Sequence, residues 1–270
     1  MNNHNHPIQS EVMNIHPVDG LLPQILLALP FLLGLIAYIM AANYSSRRVK
    51  QWPLHRTICW SLGVILAITA VAGPLATLSH TDFTAHMIGH LLLGMLAPLL
   101  MAVSAPMTLF LRTSSVPVAR KISKILRSRP IRFYTNPFFT SFLNIGGLWV
   151  LYTTNLYSFM HEYLLLFVIV HLHVFLAGYL FTISIIYFDP ISHRVPFVER
   201  ALALVISLAW HGILSKFIYA NPPVGVAPKQ AEIGSMVMYY GGDIIDIVII
   251  FILCLHWYRA TRPRKGLAIR

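Results

Sequence analysis

The sequence predicts an all-α, polytopic membrane protein: a bundle of seven transmembrane helices, N-terminus extracytoplasmic and C-terminus cytoplasmic. Three observations carry this expectation. Of 270 residues, 57% are hydrophobic and only 11% charged, whereas about a quarter are charged in an ordinary soluble domain. The apolar residues fall in seven long runs, and a helix needs about 20 such residues to cross a hydrocarbon core of about 30 Å. Finally, the basic residues cluster between the runs, where topology signals sit.

The runs lie near 20–43, 57–78, 83–111, 137–159, 161–187, 198–220 and 234–258. They make one transmembrane domain, 20–258, between a polar extracytoplasmic tail, 1–19, and a basic cytoplasmic tail, 259–270. The third run holds Pro98 and Pro106 and is expected to kink or tilt, which membrane helices tolerate. Met160, His161 and Glu162 are the expected turn between the fourth and fifth runs. All but two of the 20 Lys and Arg residues lie in loops 44–56, 112–136 and 188–200 or in the C-terminal tail; Lys216 and Lys229 lie elsewhere. With seven spans these regions share one face, and the positive-inside rule makes that face cytoplasmic. The net charge of +11 therefore reads as a topology signal and not as a nucleic-acid footprint.

Segment 112–132 places Val118, Ile122, Ile125 and Leu126 among basic residues. It reads either as an amphipathic helix on anionic membrane lipid or as a solvated basic loop. The Gly pairs at 146–147 and 241–242 read as points of close helix packing. Cys59 and Cys254 form no C-x-x-C, so no thiol metal motif is present. The polar start carries no Lys or Arg and lacks the positive region of a signal peptide.

Polar residues inside the runs point to function. Counting about 1.5 Å per residue from the outer edges puts His86 roughly 5 Å deep and His90 roughly 11 Å. His171, His211 and Asp243, on three further runs, come out at roughly 14–15 Å. His161 sits at the outer edge of its run, with His80 and Asp82 just beyond. Any one of these reads equally well as a hydrogen-bonded packing residue. As a set they read as a ladder of imidazoles, because ionisable residues in a span face the bundle interior, a cavity or each other. His86 and His90, at i and i+4, share a helix face, a spacing that binds one metal ion or gates one cavity. Asp243 and Asp246 could supply a ligand, fix an imidazole tautomer, accept a proton or simply hydrogen-bond between helices. His173 lies two residues from His171 and points about 200° away, so His171 is the one expected to face the site. The candidate metal set is His86, His90, His161, His171, His211 and Asp243. In the tail, His4, His6, Met13 and His16 offer donors that suit copper, or form a plain polar terminus.

The stretch AHMIGHLLLGMLAPLLMAVSAPMTL, with His86, His90, Pro98 and Pro106, resembles the third-helix signature of the Bacillus-type CtaG family of cytochrome c oxidase assembly proteins. His161-Glu-Tyr-Leu-Leu-Leu followed by His171, then Asp189-Pro190 and His211-Gly212, are similar to later parts of that family. The seventh helix departs: Asp243 follows its Gly pair and Trp257 comes late. The resemblance implies a seven-span, non-catalytic factor of the bacterial plasma membrane that helps a terminal oxidase subunit mature, with copper as the metal. The alternative is a membrane cytochrome or redox enzyme, in which His90 or His171 would pair with His211 on haem. An ion or proton transporter built on Asp243 and Asp246 comes third, because no internal repeat accompanies it.

Overall fold

The computed structural model describes residues 20–48, 50–191 and 193–262, all of whose regular structure is helical. The tail histidines and the last basic residues lie outside the described residues. Six helical stretches are long and apolar enough to cross a membrane. They are α1 (Leu21–Arg48), α2 (Leu54–Val71) with its short extension α3 (Pro74–Leu78), the third run over Phe83–Val103, α11 (Leu164–Ile185), α12 (Phe197–Ala220) and α13 (Pro228–Thr261). Leu21, Phe142, Leu165, Val198 and Ile244 all stand outward and exposed, as expected where hydrocarbon chains replace water.

The count of seven is not met by length alone. The fourth run gives α9 (Pro137–Thr153), with 17 residues, about 26 Å at 1.5 Å per residue. It stops at Thr154 and Asn155, and a separate short helix α10 (Leu156–Glu162) follows. Met160, His161 and Glu162 are therefore helical, not the expected turn. The helix breaks instead at Thr154–Asn155 and again at Tyr163, where the backbone is extended. This places His161 on its own short helix over the bundle end.

The third run is the hub. Over its most apolar stretch 56% of residues are buried, against 28–39% in the other five. It begins as α4 (Phe83–Leu91), capped by the Asp82 carboxylate, which accepts from the Thr84 and Ala85 amides at 2.6 and 3.2 Å. It then widens into a π turn (Leu92–Leu96) and continues as α5 (Ala97–Val103). The deviation falls just ahead of Pro98, which has no N–H to continue the regular ladder. Around this helix pack α2, α11 and α13, while α9 sits between α11 and α12. The contact with α11 is very close: a Cβ on Gly178 would collide with the Gly94 carbonyl oxygen.

The run ends at Ala105, whose φ of 53° is left-handed, and Pro106 starts the separate helix α6 (Pro106–Thr113). Asp189, from the loop after α11, caps it by accepting from the Met107 and Thr108 amides. Two further short helices follow, α7 (Val116–Leu126) and α8 (Arg129–Tyr134); neither buries a residue, and Val116, Val118 and Ile125 are exposed.

Candidate functional site

Four helices converge below the end of the bundle that carries α10. His86 and His90 sit one turn apart on α4, 8% and 7% exposed. Opposite them α9 supplies Tyr152, α10 supplies Met160 and α11 supplies His171. These five side chains line a cavity of about 20 Å³, enough for roughly one water molecule or one ion.

The imidazoles here are held. His86 Nε2 lies 3.1 Å from the Tyr152 hydroxyl, and its ring meets Tyr157 edge-on at 5.0 Å. His171 Nδ1 lies 2.8 Å from the Phe167 carbonyl oxygen. A carbonyl oxygen only accepts, so Nδ1 carries the proton and, in the neutral ring, Nε2 keeps the lone pair a metal needs. His161 repeats the arrangement above, with Nδ1 2.9 Å from the Tyr157 carbonyl. Its ring stands 6.4 Å from that of His86 and 5.7 Å from that of His80. The upper part of the histidine ladder is thus His161 in ring contact with both His80 and His86.

A second cavity, also about 20 Å³, lies on the other side of His90. His90, Met95, Asn144, Ser207, His211 and Asp246 bring its polar and thioether groups. The His90 and His211 rings are 6.4 Å apart and inclined by 31°. Both ring nitrogens of His90 and Nε2 of His211 are buried without a hydrogen-bond partner. Glycine makes room for these rings. A Cβ on Gly242 would lie 2.6 Å from His211 Cε1, and one on Gly94 would press on His90 at 3.4 Å.

Among the described residues, no three His, Cys, Asp or Glu side chains converge closely enough to hold a metal ion as they stand. Any ion here would draw on the Met thioethers or on a small rotation of the rings. Imidazole with thioether is a donor set that favours Cu(I).

A family model described as cytochrome c oxidase caa3 assembly factor (Caa3_CtaG) matches residues 36–260. The chain belongs to this family. Curated relatives are uncharacterized mycobacterial proteins. One from Mycobacterium leprae is 24% identical over 255 residues, 84% of this chain and 39% of the relative. Others from Mycobacterium bovis and Mycobacterium tuberculosis are each 28% identical over 199 residues, 67% of this chain and 29% of the relative. The Caa3_CtaG chain thus spans well under half the length of these relatives. No solved structure matches it.

Set against the expected residues, the Caa3_CtaG fold brings His86, His90 and His171 to one cavity and His90 and His211 to the next. His161 stays above, in ring contact with His86. Asp243 is exposed on the outside of α13, and Asp246, 4% exposed, lines the second cavity in its place. His173 turns from the site as expected: a Cβ on Gly147 would overlap its Nε2. Met160, Tyr152 and Asn144 were not legible as site residues. Two of them depend on how α9 and α10 break, which the continuous apolar run conceals.

Proposed function

We propose that this chain is a non-catalytic assembly factor that takes copper from the extracytoplasmic side of the bacterial plasma membrane and holds it for a haem–copper terminal oxidase subunit. In this reading α9 is a seventh, short span, the N-terminus is extracytoplasmic, and the α10 end of the bundle faces outward. The observation that carries it is the first cavity. Three imidazoles and a thioether surround a space sized for one ion, inside a bundle whose family is concerned with oxidase assembly. Copper is cargo here: His161 and His86 line its way in, and His90, His171 and Met160 supply the donors.

Cavity size favours an ion over haem. The two cavities lined by His90, His171 and His211 are each about 20 Å³, and a porphyrin requires several hundred Å³, on the scale of ordinary cofactor pockets; the cavity of about 900 Å³ that His173 lines holds no second histidine to pair with it.

The test is metal content and visible spectrum of the purified protein beside a His86→Ala/His90→Ala double variant. The expected result is bound copper in the parent, none in the variant, and no Soret band in either. A Soret band in the parent overturns the reading in favour of a cytochrome. Absence of copper after loading removes the histidines from any metal role.

A further inference from the structure

His90 belongs to the walls of both cavities, and neither of its ring nitrogens has a partner. Below it, His211 is 5% exposed with Nε2 likewise unpartnered. Leaving such groups buried and unpaired is costly, so their persistence points to something that pairs with them. Asp246 is the one buried acidic side chain among the described residues, and it faces this cavity. A carboxylate inside a span is costly and marks ion pathways. The cavity therefore combines lone-pair donors, a thioether and a carboxyl group that can give up its proton to a cation, around a space for one small ion.

We infer that the lower cavity is a second copper station, and that His90 passes a single ion between it and the cavity above. In the upper station the ion is held by His90, His171 and Met160; in the lower, by His90, His211, Met95 and Asp246. This rests on the copper reading and extends it, giving the ion a second residence and Asp246 a role. A neutral imidazole offers one lone pair at a time, so His90 serves one cavity or the other and the chain holds one ion. Cu(I) carries one positive charge, which the Asp246 carboxylate balances; the upper station has only neutral donors. The lower station is therefore the better home for the ion once it is inside. The π turn contributes geometrically. Met95 lies five residues after His90, about 140° around a regular α-helix, and the wider winding over Leu92–Leu96 carries it toward the same cavity.

The experiment titrates Cu(I) into the full chain in detergent against a chromophoric Cu(I) chelator of known affinity. Wild type is expected to bind one equivalent. Asp246→Asn and His211→Gln are each expected to keep one equivalent with affinity at least tenfold weaker, while Asp243→Asn matches wild type. His171→Ala keeps its equivalent, held below, with affinity close to that of wild type. His90→Ala and His90→Gln, each checked for a monodisperse elution profile, lose binding. Wild-type affinity in both Asp246→Asn and His211→Gln, with binding lost in His171→Ala, overturns the second station and leaves the upper one standing. A full-affinity equivalent in either His90 variant overturns the shared ring. No copper in wild type brings down the copper reading itself, so the two failures are distinct.

Discussion

The two cavities are nearly equal in volume, yet their histidines are treated in opposite ways. Above His90, hydrogen bonds hold the rings: His171 and His161 donate to carbonyls one turn back, and His86 meets the Tyr152 hydroxyl. Below it, His90 and His211 hang unpartnered beside a buried carboxylate. The upper cavity is pre-organised, so little ordering remains to be done when a ligand arrives. The lower one is unsatisfied, with a buried carboxyl group beside ring nitrogens that lack partners. The contrast teaches that a bundle can build two sites of different character around one side chain, using only which backbone or hydroxyl groups lie within reach.

This contrast can be broken most severely at Gly178. Because a Cβ there meets backbone at Gly94 and not a yielding side chain, Gly178→Val should force α11 off the π turn. The expected cost is about 3 kcal/mol or more, visible as a large loss of monodisperse protein on heating in detergent. Both cavities should fail together. A variant as heat-stable as wild type would mean the two helices have slack.

A narrower cut is Gly242→Ala. The added methyl would press on His211, with an expected cost of about 1–3 kcal/mol. Cu(I) affinity should fall as it does for Asp246→Asn, and combining the two should add little. Full additivity would show that Gly242 and Asp246 act on different things.

Tyr152→Phe sharpens the upper cavity alone. It removes the hydroxyl beside His86 Nε2, worth about 1 kcal/mol, and should cost roughly five-fold in the Cu(I) affinity of a His211→Gln background. No change there would assign Tyr152 to packing. The smallest effect belongs to Asp243→Asn, exposed on α13. It should stay within about 0.5 kcal/mol in stability, as distant surface changes do, and a large loss would return Asp243 to the site.

Asp243 and Asp246 also show what a sequence can and cannot disclose. Asp246 lies about 4.5 Å deeper than Asp243, and the depth match with the histidines points to Asp243; it could not choose Asp246. The buried stripe could have: Ala231, Ser235, Met238, Gly242, Ile245, Ile249 and Leu253 recur at three- and four-residue steps, and Asp246 follows Gly242 by one turn while Asp243 does not. The membrane class was legible because the apolar runs are long, and the layer shared by His90, His171 and His211 because each lies near mid-run. The shortness of α9 was not, since the apolar character continues through Leu156 and Phe159 and only Thr154 and Asn155 interrupt it. Met160 went unread for the same reason. Its place on the cavity wall depends on α10 being a separate helix.

The π turn at Leu92–Leu96 amounts to one residue more than an α-helix would use over the same rise. Were the same residues wound as a regular α-helix, everything on the N-terminal side would turn by about 100° relative to α5. His86 and His90 would then swing away from α11 together, with every donor still present in the chain. The alignment of the ladder is in that sense the work of a bulge that absorbs one extra residue, and a change that closed the bulge without shortening the chain would undo it without removing a single histidine.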